Sequence, residues 1–378
     1  MKFGTRIIHN GHEIDPSTRA VGVPIHQVST FHQDSLDHFG KYDYARSGNP
    51  TREALEETIA LLENGRRGFA FASGMAAISS VLLLFSPGDH LVVCDDVYGG
   101  TYRVLTTLFS RLGIEVSFVD TTDLAEIRKA IRPNTRGLYL ETPSNPLLKI
   151  TDLAGAAGIA KEHGILTMVD NTFMTPYLQR PLDLGCDIVL HSGTKFLNGH
   201  SDVICGFAVV ADPGLAARIQ FVQNSFGAIL GPQDSWLVLR GMKTLKVRME
   251  ESQRGARMVA DWLCRQKNVV DVYYPGLATH PGFAIQQAQA TGPGAVLSFT
   301  VATFELTRKI LEELTLAVFA VSLGGVESII SYPAKMSHAA MPREEREARG
   351  ISDTLVRLSV GLEDPEDLIA DLDRVLNG

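Results

Sequence analysis

Between residues 68 and 210 the chain repeats one pattern. A run of three to five mostly apolar residues is followed by a longer segment with helical spacing. The runs are Gly68–Ala72, Leu91–Cys94, Val116–Val119, Gly137–Leu140, Leu166–Val169, Ile188–Leu190 and Phe207–Val210. Ala76–Phe85, Tyr102–Leu112, Leu124–Ile131 and Leu153–His163 read as the helices between them. Strands this uniformly apolar must be covered on both faces, and alternating helices provide that cover. The expected fold class is therefore α/β, with a large, mostly parallel sheet. Ahead of it, Asn49-Pro50 opens a helix whose Leu55, Ile59 and Leu62 share one face, and Gly65 is the expected stop.

Beyond about residue 240 the pattern changes. A long helix over Leu245–Leu263 precedes strand-like Val270–Tyr274 and Ala295–Val301, then helices near Leu306–Leu314 and Glu366–Val375. This predicts a smaller α+β domain. The first 45 or so residues show little periodicity and suggest an extended arm lying on another subunit. The expected division is an arm over 1–45, a large domain over 46–240 and a C-terminal domain over 241–378. A chain of 378 residues accommodates that division.

The charge balance is acidic, 35 Lys and Arg against 43 Asp and Glu, with no basic block, which argues against a nucleic-acid partner. The four cysteines form no C-x-x-C pair, so neither a zinc ribbon nor a disulfide scaffold is indicated, and a reducing cytoplasm is expected. The most apolar run, Val81–Phe85, is far short of the roughly 20 residues that span a bilayer. The Walker phosphate loop, G-x-G-x-x-G, H-E-x-x-H and G-x-S-x-G are all missing. His191, His200 and Asp202 form one metal-like grouping, but their spacing matches no common helical metal pair. Polar loop residues are the plainer reading, and no metal is expected.

Three segments follow predicted strands, at the edge where open α/β sheets bind ligands. Ser73-Gly74-Met75-Ala76 can present backbone N–H groups to an anion at a helix start. Val169-Asp170-Asn171-Thr172 places a carboxylate at the end of an apolar strand. His191-Ser192-Gly193-Thr194-Lys195 offers two hydroxyls and an amine. A phosphate cup, a buried acid and a nucleophilic lysine together are what pyridoxal phosphate (PLP) requires. Taken singly, each also fits an ordinary helix start, a turn carboxylate or a solvated lysine.

The blocks Tyr42–Thr51, Ser73–Ala77, Asp96–Thr101, Glu141–Pro146, Asp170–Phe173, His191–His200, Ser322–Ser328 and Arg357–Glu363 resemble, in this order, the Cys/Met-metabolism family of PLP enzymes. The resemblance spans nearly the whole chain and implies the type I fold of PLP-dependent transferases. It implies that Lys195 binds pyridoxal 5'-phosphate covalently and shuttles the Cα proton, that Asp170 pairs with the pyridine nitrogen, and that Tyr98 stacks on the ring and assists proton transfer. Gly74, Met75, Ser192 and Thr194 would hold the phosphate, with Tyr44 and Arg46 reaching it from a neighbouring subunit of a homotetramer built from active dimers. Arg357 would clamp the substrate α-carboxylate, with Asn145 and Ser322 beside it. Arg103, Asp43 and Glu327 would meet the charged far end of a long sulfur amino acid, or else form a solvated rim. Gly100 stands where methionine γ-lyases typically carry cysteine. The likeness to bacterial cystathionine lyases implies cleavage of the Cβ–S bond of cystathionine, with γ-elimination and γ-replacement as alternatives.

Overall fold

A computed structural model describes residues 1–339 and 341–378. Seven strands build the larger sheet: β1 (Arg67–Phe71), β2 (His90–Cys94), β3 (Glu115–Val119), β4 (Thr135–Glu141), β5 (Leu166–Asp170), β6 (Ile188–Ser192) and β7 (Gly206–Val210). Their order across the sheet is β1-β7-β6-β5-β4-β2-β3. Only β7 runs against its neighbours, β1 and β6. The carboxyl ends of β1, β2, β4, β5 and β6 therefore share one edge. Each expected strand lies within one or two residues of its position, and β2 and β7 are buried throughout.

The helix Pro50–Leu62 starts as expected. Asn49 caps it by accepting from the N–H groups of Thr51 and Arg52 at 3.0 and 3.4 Å, worth about 1 kcal/mol. Its stop differs from expectation. Asn64, at φ +57°, takes the left-handed conformation rather than Gly65. Gly65 is needed for space, since a Cβ there would stand 2.4 Å from Val209.

The segment read as one helix over Tyr102–Leu112 is three pieces: α-helix Gly99–Arg103, π-helix Val104–Phe109 and 3₁₀ turn Ser110–Leu112. Hydroxyls explain the break. Thr106 and Thr107 donate back to the carbonyls of Tyr102 and Arg103, and Ser110 to that of Thr106, competing with the helical ladder. Of two helices that the sequence pattern did not isolate, Pro213–Phe226 packs on β1 and β7, and Pro232–Met242 packs on the helix Pro50–Leu62.

The second sheet contains β8 (Val269–Tyr273), β9 (Val296–Val301), β10 (Val318–Phe319), β11 (Ile329–Ser331) and β12 (Leu355–Ser359), in the order β10-β11-β12-β9-β8. All of its pairings are antiparallel except β10 with β11. Helices Leu245–Leu263, Phe304–Glu313 and Pro365–Asn377 share its core through Val259, Leu263, Ile310, Leu368 and Leu372. Among the described residues no helix is long and apolar enough to cross a membrane.

Candidate active site

The shared carboxyl edge of the larger sheet collects the predicted chemistry. Ser73 caps the helix Gly74–Leu82, accepting from Ala76 N at 3.0 Å. The first-turn N–H groups of Gly74 and Met75 have no partner within the helix. Gly74 is pressed onto the end of β6: a Cβ there would sit 2.9 Å from Ser192 Cβ and 3.1 Å from Ser192 Oγ. Gly206 lets the opposite wall approach, because its Cβ would meet Ser73 O at 2.2 Å. Ser192 Oγ thus lies beside a helix N-terminus, an anion cup made of glycine clearances. Thr194 is partly committed elsewhere, since its Oγ1 accepts from Cys205 N at 3.0 Å and reaches Cys205 O at 3.3 Å.

Asp170 ends β5 and is 8% exposed. Burial pushes its carboxyl upward, while the hydroxyl and N–H of Thr172, at 2.5 and 3.0 Å, oppose that shift. Glu141 lies opposite it in register on β4 and is also buried. Two buried carboxyls this close do not both ionise. Glu141 has Tyr98 N as its donor, at 2.9 Å, and burial followed by Asp170 holds it well above the usual range. Glu141 is therefore the carboxyl that keeps its proton.

Lys195 Nζ donates to Ser322 Oγ at 2.6 Å. Burial, with the charge of Arg357 second, pushes the amine down to about 8. Arg357, on β12 and 4% exposed, spreads its fork between Asn145 Oδ1 and Ser322 O, each 2.8 Å away. Its Nε is buried without a partner among the described residues. Ser322 sits at φ +94°, a strained position for a non-glycine residue. One residue so joins amine and guanidinium. Tyr98 is 40% exposed, with its ring against the positions a Cβ on Gly100 would fill. His338 is buried nearby, held down to about 4 by burial and then by Arg357.

The remaining expectations separate. Tyr44 and Arg46 stack on each other, 5.7 Å from guanidinium to ring, and Arg46 Nη1 donates to Asn224 O at 2.5 Å rather than to the Ser73–Ser192 cup. Asp43 accepts from Tyr44 N at 2.6 Å, Glu327 accepts from Ser201 Oγ, and Arg103 lies exposed at a helix end. Among the described residues none of these three bonds to Arg357 or Lys195. The metal-like grouping does not converge either. His191 pairs with Glu63 at 2.6 Å, His200 with Asn198 O, and Asp202 accepts from Asn198 Nδ2. Among the described residues no cluster of three or more ligands forms. Glu141 and Thr172 were not singled out from the sequence. Both stand at or just after strand ends, which was the available signal.

A buried amine held near neutrality, an acid at a strand end, a half-open aromatic ring and a glycine-lined helix N-terminus make up the donor set of a PLP site, and the residues present fit that cofactor. The family described as Cys/Met metabolism PLP-dependent enzyme matches residues 4–377, and the chain belongs to it. The cystathionine beta-lyase MetC of Bacillus subtilis (strain 168) is 59% identical over 372 residues, covering 98% of this chain and 95% of the relative. The cystathionine gamma-lyase of the same organism is 54% identical, covering 100% and 99%. Among solved structures, cystathionine gamma-lyase from Lactobacillus plantarum complexed with L-serine superimposes with a TM-score of 0.98 at 48% identity, covering 99% of this chain and 98% of that one.

Proposed function

We propose that this chain is a cystathionine β-lyase, converting L-cystathionine and water to homocysteine, pyruvate and ammonia. The observation that carries the chemistry is the Lys195–Ser322–Arg357 link. A carboxylate on the Arg357 fork brings its own Cα–H toward Lys195 Nζ. A bidentate guanidinium suits that task better than an ammonium. Bound in this site, PLP supplies an electron sink for negative charge at the Cα of an amino acid. Gly74, Met75 and Ser192 would hold its phosphate, Asp170 the proton on its ring nitrogen, and Tyr98 its face. Lys195 Nζ takes the Cα proton, and Tyr98, half open to solvent, would pass a proton to the departing sulfur. With the thioether at Cβ, homocysteine leaves directly; departure from Cγ would need a second proton removed, from Cβ.

The high identity to a relative named cystathionine beta-lyase supports the β reading, and the 54% identity to a named gamma-lyase keeps γ-elimination as its competitor. The keto acid decides between them. We expect pyruvate as the main product from cystathionine in a dehydrogenase-coupled assay; 2-oxobutyrate as the main product would reject β-elimination. A synthase would instead make cystathionine from cysteine and an activated homoserine.

The working unit is proposed to be a cytoplasmic homotetramer of two active dimers, each chain lending Tyr44 and Arg46 to its neighbour's phosphate cup. Tyr44 is 47% exposed, and Leu36, Phe39, Phe221 and Phe226 present large apolar surfaces on the arm and on the helix that Arg46 touches. Mixing inactive Arg46→Ala chains with inactive Lys195→Ala chains should restore activity, because each hybrid dimer keeps one site with both residues. No recovery after demonstrated subunit exchange would refute the shared site.

A further inference from the structure

The carboxylate clamp spans both sheets. Arg357 belongs to the smaller sheet, whereas Asn145 stands in the loop after β4 of the larger one. On one side, Ser298 of β9, in register with Arg357, donates from Oγ to Pro146 O at 2.7 Å. On the other side stands Asp96, just past β2 and 1% exposed. Its Oδ2 accepts from Ser144 Oγ and from Leu147 N, the latter at 3.3 Å. These contacts fall immediately before and two residues after Asn145. Ser144 Oγ also accepts from Lys149 N at 3.0 Å, and Ser144 N donates to Lys149 O at 3.0 Å, which closes the loop on itself. Lys149 Nζ pins the same loop to Asp95 at 3.1 Å. The second oxygen of Asp96 is buried without a partner among the described residues.

A buried carboxylate with one oxygen unpaired is an expensive way to fix a loop. An apolar residue would pack the same space at less cost, but it could not set the angle at which Asn145 Oδ1 meets Arg357. We propose that Asp96 is a positioning residue for the substrate α-carboxylate, acting through Ser144 and Asn145 on the fork of Arg357. The inference rests on the clamp role of Arg357 given above. Among the described residues Asp96 bonds to the Asn145 loop and not to Arg357 or Lys195 themselves. It sets how Arg357 meets the carboxylate and not how the cofactor is held.

The test is a visible-spectrum titration of the PLP-loaded protein with two probes: glycine, which has a carboxylate, and methylamine, which does not. Ser144→Ala and Asp96→Ala, which removes the acceptor altogether, are each expected to weaken glycine binding by roughly tenfold while leaving methylamine within about twofold. With cystathionine, KM should rise by a similar factor and kcat should change far less. The double variant should bind glycine about as well as the weaker single variant, because both changes break one connection. Equal losses for both probes would mean a merely structural role, and no loss for either would mean no role; both overturn the proposal. If Asp96→Ala does not fold, Ser144→Ala alone carries the test. Arg357→Lys serves as the control. Should it leave glycine binding intact, the clamp reading fails; should it weaken glycine binding while Ser144→Ala leaves it unchanged, only the Asp96 proposal fails.

Discussion

Replacing Lys195 with alanine is expected to leave a folded chain that no longer holds PLP covalently. Its turnover should fall by on the order of 10²–10⁴ from the lost proton transfer alone. The side chain donates to Ser322 Oγ, so its removal breaks a single local bond and spares the core. Borohydride reduction of the loaded wild-type chain should place the pyridoxyl mass on the peptide containing Lys195, and a mass on another lysine would overturn the assignment. The lowered basicity of the amine adds a second measurement. The free base is the reactive form. At an ordinary value of 10.5 about 0.1% would be free at pH 7.5, against roughly a quarter at a value of about 8. The rate of PLP uptake by the cofactor-free chain should therefore climb with pH through about 8 and level off above it. A profile still climbing past about pH 9.5 would show an unperturbed lysine.

The larger sheet was legible because both of its faces are covered. A strand buried on both faces must be apolar at nearly every position, and such runs stand out against helical spacing. β12 shows the opposite case. Its sequence Leu355-Val356-Arg357-Leu358-Ser359 carries a charge at its centre, so neither alternation nor a continuous run marks it as a strand. The charge is there because the strand delivers Arg357 into the site. The π-helix over Val104–Phe109 escaped for a related reason: hydroxyl back-bonding by Thr106 and Thr107 alters the ladder without changing the apolar period.

Site residues divided along the same line. Asp170, Ser192 and Lys195 follow strand ends closely in sequence, so their neighbourhood could be inferred from topology. The Lys195–Ser322 and Arg357–Asn145 contacts join positions 127 and 212 residues apart. Composition and spacing contain nothing that would bring these together, and only the family resemblance anticipated the pairing of Asn145 and Ser322 with Arg357. Glu141 lay within a recognised block, yet its role depends on register with Asp170, a property of two strands rather than one.

Asp170→Asn is expected to lower turnover by about 10²–10³, the usual loss when one preorganised charge is removed from a reacting centre. The variant should fold, because an amide oxygen can still accept from Thr172 Oγ1 and N in the place of Oδ1. What changes is the charge. Burial drives the Asp170 carboxyl upward, and the two Thr172 donors, followed by the His191 and Tyr139 neighbours, act against it. Glu141, with fewer donors, retains its proton and so leaves the negative charge on Asp170. A carboxylate opposite a ring nitrogen keeps that nitrogen protonated, whereas a neutral amide does not. The readout is the ¹⁵N chemical shift of labelled PLP bound to each protein. It should report a protonated ring nitrogen in the wild type and a deprotonated one in Asp170→Asn, with PLP still attached to Lys195. A protonated nitrogen in the variant, together with turnover within about tenfold of wild type, would assign the proton to another group and remove Asp170 from that role.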